Sequence, residues 1–270
     1  MTDNSDLIKK NIKAHDNVVK KYEQKHGEIF NEIEQDRLFN ELRDILKFIE
    51  TQDNKKLALD FGCGTGNMTK FLAKSGIKTV SADVSIKSLK YIKNKYVNTE
   101  QIYPLFINGS DLSNIKDKQF NIVVTYSVLH HIPDYLKIVE EFARVVKPGG
   151  IIYIDHENSP GFWDQSKEYQ EFISLNKRKW KRLLCLLDPR WYYVRFRSLL
   201  NPRYQPEGDI HVYKDDHIEW DKIEKILAET DCSIIKKKDY LLYKKKYFKE
   251  IYQKYKDKCS DMRLLVIRKS

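Results

Sequence analysis

The sequence predicts an α/β fold: a doubly wound, seven-stranded, mostly parallel sheet preceded by N-terminal helices. From residue 57 onward, short apolar segments alternate with segments of helical periodicity, a pattern typical of a parallel sheet with right-handed crossovers. The first apolar segment ends in three alternating glycines and the second ends in an aspartate. With 270 residues, 41% of them hydrophobic, the chain can bury one substantial core.

The predicted elements follow in a regular order. Residues 6–50 are predicted to be helical because apolar side chains between Ile29 and Phe48 recur at spacings of three and four. A further helix is predicted to open at Asp215. Strands are predicted near residues 57–61, 79–83, 103–107, 121–126, 150–155, 233–235 and 262–267.

The segment from Pro160 to Asp209 is too long for an ordinary loop between a strand and a helix. We therefore predict three units. Residues 1–50 form an N-terminal helical lid, residues 51–159 and 210–270 form the core, and residues 160–209 form an inserted helical cap on the substrate side.

The run from Leu57 to Gly66 predicts a nucleoside-cofactor site on a βαβ unit. Glycines at positions 62, 64 and 66 let the backbone turn sharply and approach a ligand with no Cβ in the way. Asp83 ends the next strand and offers two acceptors suited to a ribose diol. The spacing G-x-G-x-G differs from the G-x-G-x-x-G of dinucleotide-binding folds.

Three later segments extend this pattern: Gly109-Ser110-Asp111-Leu112, Val123 to Pro133, and Val146 to Gly150. With them, residues 55–157 resemble the class I S-adenosylmethionine-dependent methyltransferases, especially the small-molecule branch. The resemblance implies a Rossmann-like methyltransferase fold with an antiparallel last strand, and S-adenosylmethionine as cofactor. The cofactor-binding residues that it implies are Asp60, Gly62, Cys63, Gly64, Gly66, Asp83, Val84, Asp111, Leu112, Tyr126 and His131.

Some of these residues have a second interpretation. The resemblance implies that Asp111 accepts from the adenine amino group while Leu112 offers its backbone N–H, yet Asp111 could equally cap a turn. Asp60 is expected near the cofactor ammonium, or as a local turn acceptor. Cys63 is expected to contribute main chain only, because no His or Arg nearby in sequence would lower its pKa.

Candidates for the chemistry follow the fourth and fifth strands. A neutral His130 imidazole could accept a proton from a substrate hydroxyl or amine, or it could be structural. Asp155 and Glu157 are expected to converge, because residues two apart share a strand face, while His156 points away. Substrate hydrogen bonding by Asp155 and His156 is the first interpretation, capping the second and a magnesium-like ion the third; no metal is predicted.

Glu157 and Tyr22 are the next candidates for a catalytic role. The resemblance implies that an N-terminal Tyr or His closes the cofactor pocket, and the alternative for Tyr22 is an exposed helix position.

The chain has a net charge of +10. Much of it comes from residues 160–205, which contain ten Lys and Arg but only four Asp and Glu. Basic residues among aromatic ones suit phosphate recognition or a lipid surface. Arg178 and Arg182 are predicted to bind an anionic substrate, and His211 to line the pocket. Peripheral membrane contact, nucleic-acid binding and a solvated face are the alternatives.

Composition points to a soluble, cytoplasmic protein. The four cysteines have no paired spacing, and no apolar run approaches 18 residues. The predicted function is S-adenosylmethionine-dependent methylation, chiefly O-methylation, of a small anionic metabolite such as a phosphorylated, nucleotide-linked or lipid-linked sugar. An RNA methyltransferase and a non-catalytic cofactor-binding scaffold are the alternatives. The sequence does not address oligomeric state.

Overall fold

The computed structural model describes residues 6–9, 12, 22–49, 56–97, 99–177, 192, 193, 196 and 217–270. The strands are β1 (Leu57–Phe61), β2 (Lys78–Asp83), β3 (Ile102–Phe106), β4 (Phe120–Tyr126), β5 (Val146–Asn158), β6 (Cys232–Tyr240) and β7 (Met262–Lys269).

The strands form one sheet in the order β3-β2-β1-β4-β5-β7-β6. Neighbouring strands from β3 to β5 are parallel, whereas β7 is antiparallel to both β5 and β6. The predicted seven-stranded, mostly parallel sheet with an antiparallel last strand is confirmed.

The helices are α1 (Tyr22–Lys25), α2 (Glu32–Leu46), α3 (Asn67–Lys74), α4 (Ile86–Lys95), α5 (Tyr135–Val145), α6 (Pro160–Asp164), α7 (Lys167–Asn176), α8 (Trp220–Glu229) and α9 (Lys249–Tyr255), with a 3₁₀ turn at Leu129–His131. The predicted N-terminal helix over residues 6–50 is not continuous, since α2 begins only at Glu32. The side chain of Asn31 caps this new start by accepting a hydrogen bond from the Glu34 N–H at 3.0 Å. Helix α8 begins at Trp220, later than the predicted start at Asp215.

Two buried apolar layers cover the two faces of the sheet. On one face, Phe142 of α5 and Ile223 of α8 belong to the cluster that includes Leu59 and Ile152. On the other face, Leu42 of α2 belongs to the cluster that includes Ala58, Val124 and Tyr153. Successive strand residues point to opposite faces of the sheet. The near-continuous apolar runs of β4 and β5 therefore contribute side chains to both layers.

Helix α7, in the predicted cap, packs against the connection between β6 and β7. Phe172 of α7 contacts the rings of Tyr247 and Tyr255, with centroid distances of 4.8 and 5.9 Å. Helix α9, which carries Tyr255, was not predicted from the sequence. Most of the cap from residue 178 to 209 lies outside the described residues.

Gly66 provides a test of the loop that joins β1 to α3. Its φ is +87°, and a Cβ built there would lie 2.5 Å from Cδ1 of Ile92 in α4. We expect Gly66→Ala to lower the free energy of unfolding by about 1–3 kcal/mol, from left-handed strain plus overpacking. Gly76→Ala is the matched control, since Gly76 has a φ of +75° and no atom within 4 Å of the built Cβ. Equal losses for the two variants in urea unfolding would rule out the packing contribution.

Candidate functional site

A cavity lies at the carboxyl ends of β1, β2 and β4, the edge where open α/β sheets bind ligands. Its empty volume is about 1140 Å³, which includes the solvent at its open mouth. The glycine loop after β1, the end of β2, the turn after β4 and the N-terminal residues Tyr22, Ile29 and Phe30 line this edge cavity. The lining includes these predicted site residues: Tyr22, Asp60, Gly62, Cys63, Gly64, Asp83, Val84, Tyr126 and His131.

The backbone of the glycine loop is held against β2. The N–H groups of Gly62 and Cys63 both donate to the carbonyl of Ala82, at 2.9 and 3.0 Å. The Asp83 carboxylate accepts from the N–H of Gly64 at 2.8 Å and of Ser85 at 2.7 Å. Because each carboxylate oxygen can accept more than one hydrogen bond, Asp83 can hold the loop and also meet a ligand hydroxyl.

The three glycines of the loop have different roles. A Cβ at Gly64 would meet nothing within 4 Å, so its backbone is open on the side of the edge cavity. A Cβ at Gly62 would lie 2.5 Å from Cγ2 of Val128. A Cβ at Gly66 would meet Ile92 rather than a ligand, and Gly66 is not in the lining; its role in cofactor binding stays a prediction.

Asp60 is buried beside the cavity. Burial, and to a smaller extent the nearby charge of Asp83, raise its pKa to about 7 against the lowering effect of hydrogen bonds from Thr69. Those bonds come from the Thr69 backbone N–H at 2.8 Å and hydroxyl at 2.5 Å. Burial also raises the pKa of the Cys63 thiol well above its usual range, so Cys63 is not a reactive thiolate.

His130 and Glu157 form a buried pair behind the cavity. Nδ1 of His130 lies 2.7 Å from Oε2 of Glu157, and Oε1 of Glu157 accepts from the N–H groups of Val128 and Leu129, each at 2.8 Å. Glu157 is buried and neither residue lines the cavity. The pair holds the turn after β4, and the catalytic roles of His130 and Glu157 stay predictions. His131 lines the cavity, with its ring centroid 4.0 Å from that of His130.

Asp155 and Glu157 do not converge. The pairing of β5 with β7 is irregular between Ile154 and Glu157, and His156 adopts a φ of +62°. This bulge interrupts the strand alternation on which the prediction rested. Asp155 instead accepts from Arg37 at 2.9 Å, Tyr153 at 2.6 Å and Tyr240 at 3.0 Å.

Asp155 is fully buried, so its predicted contact with substrate is wrong. The His156 ring contacts the ring of Tyr126, with centroids 4.7 Å apart, rather than pointing away. Burial lowers the pKa of His156. Its two ring nitrogens are buried without a hydrogen-bond partner among the described residues.

The prediction for Leu112 is also wrong. Its backbone N–H donates to Oε2 of Glu141 at 2.9 Å, so it is not directed at an adenine. The Asp111 carboxylate accepts from Asn108 at 3.0 Å and from the Ser113 hydroxyl at 2.7 Å. The hydrogen bonds from Ser113 and Asn108 lower the pKa of Asp111 to about 2. Asp111 stabilises the turn after β3 and is not in the cavity lining.

Arg178, Arg182 and His211, predicted to contact the substrate, lie outside the described residues. Within the described ranges, no three His, Cys, Asp or Glu side chains are grouped so that they could hold a metal ion. None of the helices in the described part of the chain has the length and apolar character needed to cross a membrane.

The lining contains two buried polar atoms that form no hydrogen bond with the described residues. These atoms are Thr65 Oγ1 and Asn67 Nδ2. Orphaned polar atoms in a cavity wall are satisfied when a polar ligand or water binds. Together with Asp83 and the open Gly64 backbone, these atoms fit a nucleoside cofactor such as S-adenosylmethionine. Sequence reasoning missed Thr65 and Asn67, although both lie in or next to the glycine motif.

Comparisons with known proteins agree with this geometry. Residues 59–154 match the family model described as a methyltransferase domain. A ubiquinone biosynthesis O-methyltransferase of Hydrogenovibrio crunogenus is 30% identical over 121 residues, covering 44% of this chain and 50% of the relative. A thiol S-methyltransferase of Rattus norvegicus is 28% identical over 178 residues, covering 65% of this chain and 62% of the relative.

The chain therefore spans only half to three fifths of the length of these two curated relatives. Among solved structures, a SAM-dependent methyltransferase of Methanosarcina mazei matches with a TM-score of 0.53 and 18% identity. That match covers 83% of this chain and 96% of the other. It supports the Rossmann-like methyltransferase fold.

The raised pKa of Asp60 generates a prediction about binding. A cationic ligand beside Asp60 favours the ionised carboxylate, so binding below about pH 7 should release a proton from a group that was neutral before. We expect the heat of S-adenosylmethionine binding at about pH 6 to depend on the ionisation enthalpy of the buffer. Asp60→Asn should abolish that dependence. Equal heats in two buffers for the wild-type chain would contradict the prediction.

Proposed function

We propose a function from one premise: this chain belongs to the class I S-adenosylmethionine-dependent methyltransferase family. The cofactor supplies an electrophilic methyl group, so the protein has mainly to bind, orient and exclude water. We propose that the chain methylates a hydroxyl oxygen of a small molecule that carries an anionic group.

The enclosure of the edge cavity is the observation that carries the proposal for a small acceptor. Tyr22, Ile29 and Phe30 line the same cavity as the glycine loop and the turn after β4. The Tyr22 ring is anchored against His26, with a centroid distance of 4.0 Å, and meets Phe30 edge-on at 6.2 Å. An N-terminal wall of this kind favours a ligand that enters the cavity over a bulky polymer.

Oxygen methylation is supported by a proton-accepting side chain and by the relatives. His131 lines the cavity, and a neutral imidazole at that position can accept the proton of a hydroxyl. The His131 ring contacts the ring of His130, which Glu157 holds by a hydrogen bond of 2.7 Å. The matched relatives include an O-methyltransferase and a thiol S-methyltransferase, so a thiol is the alternative acceptor.

The proposal of an anionic acceptor rests on charge. The net charge of +10 favours capture of anions at low ionic strength. Lys95 lies near the lining, with its Nζ 3.3 Å from the carbonyl oxygen of Thr65 and 2.8 Å from Glu23. The excess of Lys and Arg in the sequence of the cap is the other observation that supports an anionic acceptor.

Methyl transfer can be tested directly with four probes. The purified chain is incubated with methyl-labelled S-adenosylmethionine and, separately, dihydroxybenzoate, the neutral catechol, an alkyl thiol or a short RNA. We expect labelled product from dihydroxybenzoate, at a rate that falls as salt is raised because screening weakens anion capture. Preferential labelling of the thiol or the RNA would overturn the proposed acceptor.

Asp83 tests cofactor binding separately from the acceptor. Asp83→Ala removes the proposed ribose acceptor and should weaken S-adenosylhomocysteine binding by about 1–3 kcal/mol. Asp44→Ala is the control, because Asp44 is exposed on α2 and pairs with Lys47. Calorimetry that found the same affinity in both variants would contradict the assignment of Asp83.

A further inference from the structure

Two residues in the first turn of α2 form hydrogen bonds with residues that line the edge cavity. Oε1 of Glu34 accepts a hydrogen bond from the Tyr126 hydroxyl at 2.8 Å. Nε2 of Gln35 donates to the Asn67 side-chain oxygen at 3.1 Å and to the Ile29 carbonyl at 3.0 Å. Tyr126, Asn67 and Ile29 all line the cavity, whereas Glu34 and Gln35 do not. Two adjacent residues of one helix thus hold three lining residues from separate segments.

Glu34 is itself fixed. Arg37, one turn along α2, donates to both of its carboxylate oxygens, at 2.6 and 2.8 Å, and also to Asp155 of β5 at 2.9 Å. Burial alone would lower the pKa of Arg37, but Asp155, Tyr240 and Glu34 raise it well above its usual value. The guanidinium therefore stays charged and keeps the Glu34 carboxylate in place for the Tyr126 hydroxyl.

Gln35 is oriented by a lysine. Lys70 Nζ donates to Oε1 of Gln35 at 2.8 Å. Because an ammonium can only donate, the Gln35 amide must present its NH₂ group to Asn67 and Ile29. Asn67 must then present its oxygen to Gln35, which leaves its own NH₂ as the buried donor without a partner among the described residues. The polarity of the lining at Asn67 is thus determined by Lys70 through Gln35.

We propose that Glu34 and Gln35 are positioning residues for the cofactor, acting through Tyr126 and Asn67. Glu34 fixes the Tyr126 ring at the end of β4, and Gln35 fixes the direction of the Asn67 amide after the glycine loop. Both lining groups are held in place before the ligand binds, so less ordering is needed on binding. The inference concerns cofactor affinity and is independent of the identity of the methyl acceptor.

The test measures S-adenosylhomocysteine affinity by calorimetry beside thermal stability. Glu34→Ala and Tyr126→Phe should each weaken binding about fivefold, the usual effect of one lost hydrogen bond. The double variant should bind no more weakly than either single variant, because both remove the same bond. Glu34→Gln keeps one acceptor for the Tyr126 hydroxyl but loses one of the two that Arg37 uses, so it should restore part of the affinity lost in Glu34→Ala. Gln35→Leu should also weaken binding about fivefold, through Asn67.

Glu41→Ala is the matched control. Glu41 lies on the same helix, is likewise buried, and pairs with Lys236 and Lys238 of β6, none of which lines the cavity. It should lower thermal stability without changing affinity. The proposal is overturned if Glu34→Ala binds as tightly as Glu41→Ala, or if the losses of Glu34→Ala and Tyr126→Phe add. Should Glu34→Ala fail to fold, unchanged affinity in Tyr126→Phe and Gln35→Leu overturns it equally.

Discussion

The ion pair between Arg37 and Asp155 joins the N-terminal helix to the carboxyl end of β5, away from water. Asp155 is fully buried, and a buried carboxylate is tolerated only when it is paired and hydrogen-bonded. Arg37 supplies the charge, while the hydroxyls of Tyr153 and Tyr240 supply the remaining hydrogen bonds. Loss of the Arg37 side chain would leave this charge buried without its ion pair. Helix α2 is therefore part of the core layer, and its first turn is fixed relative to the edge cavity.

The strand ends at this edge share an unfavourable backbone conformation. Ser127, after β4, and His156, near the end of β5, both have positive φ, at 60° and 62°. The Ser127 N–H donates to the Asp155 carbonyl at 3.0 Å, which links the two turns. Such conformations persist only where surrounding contacts fix them. Here they turn the Ser127 segment into the cavity lining and bring the His156 ring against Tyr126.

Sequence reasoning succeeded where the determinants are local. The glycine loop and Asp83 lie within one βαβ unit, so spacing alone placed them together at the cavity. It failed where the partner is distant or where periodicity breaks. The neighbour of Gly66 is Ile92 in another helix, and the bulge at His156 has no signature in the two-residue spacing of Asp155 and Glu157.

The charged residues on α2 were not singled out from the sequence. On an amphipathic helix they indicate a solvated face, and nothing in the local pattern distinguishes exposed Asp44 from Glu34 or Arg37. Glu34 is buried and Arg37 partly buried because β4, β5 and β6 bring Tyr126, Asp155 and Tyr240 to the same place. Cross-element hydrogen bonds of this kind depend on the assembled sheet, which is why the positioning residues escaped the sequence while the glycine loop did not.

The charge state of the cavity depends on the burial of Asp60. Burial, and to a smaller extent the charge of Asp83, raise the pKa of Asp60 to about 7. The site can thus adjust its charge through Asp60 near neutral pH. A cationic ligand draws Asp60 toward its ionised form, whereas a neutral ligand of the same shape does not. We therefore expect the edge cavity to favour a cationic ligand over a neutral one of the same shape, through the aspartate that precedes the glycine loop.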